Sequence, residues 1–345
     1  MNKLALLHLV LSLCSASKGL FMSAASANAS DSTLQAYLQT AALACRPPWN
    51  ISTSPQFLSS VAIQAVGDVR GSLYGAALDR MVPALACVPQ LYVGTSIPRG
   101  DDFYCGDVLN SSFTAHAVGA SAKAARAFVA RYAAALPSSF AWYISPEQFL
   151  NHLAEGCTPK QPQKQQRVTG SELAAAWGEF LRSWTQALSA VRPGARILWS
   201  PAAPESVRRA SNSSDAYATA LGASLRSIAT AAPLLTDIVI QDSVGKASNA
   251  STAGHIVYPV GCLDAAWHAN ISKAALAGYN VTTRVNMELF LRKGHRLPPS
   301  AIVDLPAEPY EARRRQVCYE AQGLELGPSW EARYWLQDVM ESWRP

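Results

Sequence analysis

Short aromatic or β-branched runs alternating with amphipathic, Ala-rich stretches predict an α/β chain: a (β/α)8 TIM barrel with extended, disulfide-bearing and glycosylated loops. Two glutamates sharpen that reading. Glu147 closes Phe140-Ala-Trp-Tyr-Ile-Ser-Pro, and Glu288 closes Arg284-Val-Asn-Met, each at the end of a run that reads as a buried strand. A barrel places its chemistry at the C-terminal ends of its strands, where side chains leave the packed interior and meet the loops. For either residue alone, a carboxylate favoured by the dipole of the following helix is the structural alternative. The two together point to a site.

The elements follow in chain order. Lys3, the apolar run Leu4 to Leu13 and the small residues at Ser15 to Ser17 and Ala24 to Ala29 have the plan of a secretory signal peptide. The run is too short to span a bilayer. The expected division is a leader over 1–29, cut at either small-residue cluster, and one domain over 30–345. The first barrel strand has no clear signal, Leu43 to Trp49 being its candidate; Val61 to Val66 and Gln90 to Gly94 read as the next two. Ser111 to Leu136 is helical by periodicity and stops at Pro137. Phe140 to Ser145 is then a strand, and Lys160 to Gln166 a polar loop. A helix over Ser171 to Val191 is opened by the capping box Thr169-Gly-Ser-Glu172 and ended by Pro193-Gly194. Strands at Arg196 to Ser200, Thr236 to Gln241 and Asn280 to Met287 alternate with helices at Asp215 to Ala232, Leu263 to Gly278 and Glu308 to Gln322. A short last run lies near Ser329 to Tyr334. Counting back from it puts Glu288 on strand seven, Gln241 and Asp242 on six, Trp199 to Pro201 on five and Glu147 on four. Helix-then-strand repetition means parallel strands joined by helical crossovers.

Seven Asn-X-Ser/Thr sites, at Asn28, Asn50, Asn110, Asn212, Asn249, Asn270 and Asn280, join the leader in pointing to a glycosylated secreted or lumenal protein. Asn280 ranks lowest, because it directly precedes a strand. Cys14 leaves with the leader; Cys45, Cys87, Cys105, Cys157, Cys262 and Cys318 remain, enough for three disulfides whose pairing stays open. Without a CxxC or a close Cys/His pair, a zinc site is excluded, and no cofactor is expected. The net charge of +5 is mild, and its one dense basic cluster, Arg313-Arg314-Arg315, reads as a solvated helix face, so no nucleic-acid partner is expected. The expected partner is a carbohydrate; no transmembrane segment is expected in the mature chain, and oligomeric state is not legible. A serine hydrolase is disfavoured by the lack of GxSxG.

Ile238-Val-Ile-Gln-Asp-Ser-Val-Gly245 is similar to the QDGVG signature of an uncharacterised family of glycoside-hydrolase-like TIM barrels. Ala141 to Glu147 resembles that family's aromatic-Tyr-acid strand, Trp199-Ser-Pro201 its Trp-x-Ser-Pro strand, and Asn286-Met-Glu288-Leu-Phe290 its Asn-x-Glu-x-Phe strand. The likeness runs from about Leu91 to the C-terminus, with Ser243 where the family has Gly. It implies comparison with the retaining glycosidases built on this barrel, with the acid/base on strand four and the nucleophile on strand seven. Those roles map onto Glu147 and Glu288. One carboxylic acid protonates the leaving oxygen and one carboxylate attacks the anomeric carbon, their environments holding their pKa values apart.

Around the pair, Asp242 is a candidate for a sugar hydroxyl or for orienting Glu288, with a turn or helix cap as its structural alternative. Gln241 precedes it in the same motif. Tyr143, Trp142 and Trp199 are candidates for stacking on sugar rings, or are core if they point inward. Asn286 shares a strand face with Glu288, and Glu331 is a reserve acid on the last strand. His255 and His295 read as solvated loop residues. The expected function is a secreted retaining glycoside hydrolase acting on an oligosaccharide or polysaccharide. Its rivals are a non-catalytic carbohydrate-binding or surface protein on a degenerate barrel and an inverting hydrolase using Asp242.

Overall fold

A computed structural model describes residues 19–44, 60–98, 105–137, 139–159, 166–203, 214–242, 262–286, 290–293, 303–306, 318–319 and 321–325. Its centre is a curled sheet of seven parallel strands that pair in chain order: β1 (Gly19–Met22), β2 (Ser60–Ile63), β3 (Gln90–Gly94), β4 (Phe140–Ile144), β5 (Arg196–Trp199), β6 (Asp237–Gln241) and β7 (Thr282–Asn286). Neighbour pairing in chain order is the topology of a barrel, in which each crossover returns beside the strand it left. The strand numbers expected for Glu147, Trp199 and Gln241 hold, since the runs before them are β4, β5 and β6. An eighth strand is not among the described residues. The edge of β7 facing away from β6 is nevertheless occupied, because the Val285 N–H donates to Glu325 O at 2.9 Å. A separate antiparallel pair is formed by β8 (Phe290–Lys293) and β9 (Val303–Pro306).

The helices are α1 (Ala24–Ala29), α2 (Asp31–Ala44), α3 (Gly75–Ala84), α4 (Ser111–Tyr132), α5 (Leu150–Glu155), α6 (Gly170–Val191), α7 (Ser214–Ala231) and α8 (Cys262–Ala275). Strand alternation sorts side chains onto two faces. Phe140, Trp142 and Ile144 pack outward into the layer between sheet and helices, while Ala141 and Tyr143 point inward with Ala62, Tyr92, Leu198 and Val239. α6 shows why the sequence folds locally as it does. Thr169 accepts the Glu172 N–H, the Glu172 carboxylate accepts the Thr169 N–H at 2.8 Å, and the helix turns Leu173, Trp177, Leu181, Trp184 and Leu188 to the core.

One sequence expectation is corrected at the N-terminus. The first strand is Gly19–Met22, and Leu43, in the expected strand Leu43 to Trp49, instead belongs to α2. The segment assigned to the leader therefore contains β1 and α1, with Met22 and Ala24 fully buried. Gly-Leu-Phe-Met gives no strand signal of its own, lying four residues long between the two small-residue clusters of the leader.

At the end of the barrel where the strands begin, inward-facing Asp237 is fully buried and takes hydrogen bonds from Arg196 Nη2 and Nε, from Arg284 Nη1 at 3.1 Å and from Thr236 Oγ1 at 2.7 Å. Cys105–Cys157 and Cys262–Cys318 are disulfides closing 52 and 56 residues of sequence, loops of a size worth about 2–5 kcal/mol each. Cys87 is also disulfide-bonded. No helix among the described residues is long and apolar enough to cross a membrane.

Between α3 and α4, the Tyr132 hydroxyl donates to Asp79 Oδ1 at 2.8 Å and Arg131 pairs with the same carboxylate. Burial, and then the Asp79 carboxylate, push the Tyr132 phenol up to about 12. A raised phenol stabilises the fold fully below its unfolded value near 10, and that contribution disappears as pH rises through the folded value. Tyr132→Phe should therefore flatten the alkaline loss of stability between about pH 10 and pH 12, read from urea midpoints along a pH series. An unchanged alkaline slope would remove Tyr132 from it.

Candidate functional site

The strands leave the sheet at one end through a set of polar residues, and their mutual bonds define the site. Ser200 follows β5 and faces inward; its hydroxyl donates to Val239 O at 2.7 Å and accepts from Asn286 Nδ2 at 3.3 Å. Gln241 Nε2 donates to Ser200 O at 2.9 Å, and its backbone N–H to Pro201 O at 2.8 Å. The Asp242 N–H donates to Asn286 O at 2.9 Å, and the Tyr319 hydroxyl donates to Asp242 Oδ2 at 3.1 Å. Gln241, Asp242 and Asn286 are thus brought together at the ends of β6 and β7, all at 1% exposure or less. Ser200 joins them without having been singled out in the sequence. The signal was there: Arg196, Leu198 and Ser200 alternate onto one face, and the last of them is polar at a strand end.

Glu147 lies three residues past Ile144, half-buried at the same end of the sheet. Its backbone is pinned from both sides by β5 and the residues that follow it. The Trp199 indole N–H donates to Pro146 O at 3.0 Å, and the Ala202 N–H donates to Gln148 O at 2.8 Å. Glu147 is not the N-cap of α5, which is Phe149. Gly94 keeps the neighbouring strand end narrow: a Cβ there would meet Gln64 O at 1.8 Å and Ser145 Oγ at 2.7 Å. That room lets the Ser145 hydroxyl reach Gln64 O at 2.6 Å.

The aromatic candidates are placed differently. Trp199 is fully buried and stacks on Trp177 of α6 at 5.4 Å, and Trp142 meets Phe140 edge-on at 4.7 Å, so both rings belong to the layer between sheet and helices. Trp199 instead shapes the segment carrying Glu147. Tyr143 faces the inner side of the curled sheet at 2% exposure. Glu288 comes two residues after Asn286 and lies outside the described residues, as do Glu331, His255, His295 and the Ser243–Gly245 part of the signature. Among the described residues, no group of three or more His, Cys, Asp or Glu is placed to hold a metal ion.

No protein-family model and no curated protein matches the chain. Solved structures similar to it include a Bacteroides thetaiotaomicron protein assigned as an alpha-L-fucosidase, 13% identical with a TM-score of 0.48 over 80% of this chain and 76% of that one. An intracellular xylanase from Thermoanaerobacterium saccharolyticum is 7% identical, with a TM-score of 0.48 over 93% and 88%. A psychrophilic glycoside hydrolase family 10 endo-beta-1,4-xylanase is 11% identical, with a TM-score of 0.45 over 91% and 85%. Likeness at this level bears on neither substrate nor mechanism.

Proposed function

We propose that the protein is a secreted retaining glycoside hydrolase, with Glu147 as acid/base and Glu288 as nucleophile, acting on an oligosaccharide or polysaccharide. The observation that carries this reading is the order of the sheet. The chain leaves β4 and β7 at the same end, with Glu147 three residues beyond the one and Glu288 two beyond the other. A retaining mechanism needs the two carboxyl groups about 5–5.5 Å apart, and an inverting one about 6.5–9.5 Å. The rival use of Asp242 is less favoured, because that carboxylate is fully buried and already accepts the Tyr319 hydroxyl. Ser200, Gln241 and Asn286 form the polar floor beneath the sugar. The experiment is a panel of chromogenic glycosides and polysaccharides assayed with the secreted protein. Saturable binding without turnover would return the non-catalytic reading.

Secretion has its own test, in which mass falls on enzymatic deglycosylation and few free thiols titrate after denaturation. Site occupancy follows exposure. Asn280, just before β7, and Thr282, the first residue of that strand, are both exposed, which favours this site despite its place beside a strand. Asn110 is also exposed, and its side chain is held through Oδ1, which accepts the Ser112 N–H at 3.0 Å and the Phe113 N–H at 3.4 Å, so its amide nitrogen is open to a glycan. Asn270 is half-buried within α8, and its Ser272 is fully buried with the hydroxyl on His268 O. Glycopeptide mapping should find glycans at Asn110 and Asn280 and none at Asn270. Glycan on Asn270 would contradict this packing of α8.

A further inference from the structure

We propose that the leader is cut between Ser17 and Lys18, so that the mature chain begins one residue before β1. The inference rests on the secretory reading above. By pattern alone the later cluster is the better match, since Ala27-Asn28-Ala29 is an A-x-A sequence whereas Ser15-Ala16-Ser17 supplies serine at both small positions. The fold reverses that preference.

β1 pairs with β2 at Gly19↔Ser60, Leu20↔Val61, Phe21↔Ala62 and Met22↔Ile63, and the Gln64 N–H continues the ladder to Met22 O at 2.9 Å. The Met22 side chain is fully buried, as are Ala24 and, at 3% exposure, Ala27. Ser23 caps α1 through the Ser26 N–H, and its own N–H donates to the Tyr37 hydroxyl of α2 at 3.2 Å. Cutting after Ala29 removes this strand and helix together. β2, whose residues Ser60–Ile63 are all buried, would become an edge with a row of unpaired N–H and C=O groups. A parallel sheet is stable only with its faces covered and its strands paired, so the product of that cut lacks part of its core. Cutting after Ser17 leaves every one of these contacts in place.

The reaction is hydrolysis of one peptide bond. Water adds across the Ser17–Lys18 amide, the Ser17 carbonyl carbon becomes a carboxylate, and the Lys18 nitrogen leaves as an α-ammonium. A leader peptidase of the secretory route supplies catalysis, and no oxidant or cofactor is consumed. One consequence is that the Asn28 sequon, exposed at the end of α1, stays in the mature protein.

The full chain, expressed in a secreting eukaryotic host and deglycosylated, should begin at Lys18 by N-terminal sequencing and intact mass. A first residue of Ser26, Ser30 or any other position past Gly19 overturns the inference and leaves secretion standing. An uncut, unglycosylated intracellular product overturns the secretory reading and the inference with it. Ser17→Arg should abolish the chain starting at Lys18, while Ala29→Arg, at an exposed position, should leave that start unchanged. Loss of processing in Ala29→Arg would also overturn the inference. As a check on folding, a foreign leader joined at Lys18 should yield soluble protein and the same leader joined at Ser30 should not; soluble, cooperatively folding protein from the Ser30 fusion counts against it.

Discussion

Glu288→Gln should abolish hydrolysis and formation of a covalent glycosyl-enzyme, whereas Glu147→Gln should cost about 10²–10⁴-fold on substrates with poor leaving groups. The asymmetry comes from the chemistry assigned to each carboxyl. A nucleophile is needed for every substrate, because without it no glycosyl-enzyme forms. An acid is needed only when the departing oxygen is too basic to leave unprotonated, so activated aryl glycosides should partly escape the Glu147→Gln defect. External azide should restore turnover of such substrates in Glu147→Gln, by replacing the water that the missing base no longer activates. The measurement is kcat and kcat/KM for both variants across leaving groups of graded acidity, with mass spectrometry for the trapped intermediate. Wild-type turnover by both variants would remove these residues from the mechanism. Trp199→Phe supplies a graded test of the same site. It keeps an aromatic ring against Trp177 but loses the N–H that holds Pro146 O, so its effect should fall on kcat more than on overall folding.

What was legible in the sequence, and what was not, divides along physical lines. Elements with a strong local signal were read within a residue or two: the capping box opens α6 where Thr169 and Glu172 require, and Gln90–Gly94 is a strand at the bounds expected. The order of β4 to β7 followed from counting alternations, and it put Glu147 at the right end of the right strand. What failed were properties of neighbours rather than of segments. Gly19–Met22 is a strand because β2 offers it a partner, and nothing inside four residues next to a leader says so. Trp199 carried two readings, sugar platform or core, because an aromatic at a strand end has two uses, and only its stack on Trp177 places it in the core. The cluster around Asp237 was invisible for the same reason, since Arg196, Asp237 and Arg284 are far apart in sequence and meet only through the register of three strands.

That cluster carries the largest stability effect expected in the molecule. Asp237 is fully buried and inward-facing at the end of the curled sheet opposite Glu147, and its charge is balanced by Arg284, with 18% of the side chain exposed, and by Arg196, with 41% exposed. Removing one member of a buried pair strands the other charge in a site it cannot leave, at a cost of about 3–5 kcal/mol. Arg196 can turn to solvent, so the Arg196 bond contributes less than the Arg284 bond. Asp237→Asn should therefore lower stability by an amount near the lower end of that range, measured by urea unfolding, while Arg196→Met should cost distinctly less. The double variant Asp237→Asn/Arg284→Met should recover part of the loss, because the charges it leaves unpaired, Arg196 and Glu325, are 41% and 70% exposed and reach solvent. Residues at the end of a barrel where strands begin serve stability rather than chemistry. Activity per folded molecule in Asp237→Asn should then match the unaltered protein at temperatures well below its transition. A selective loss of kcat with stability intact would instead tie the cluster to the reaction.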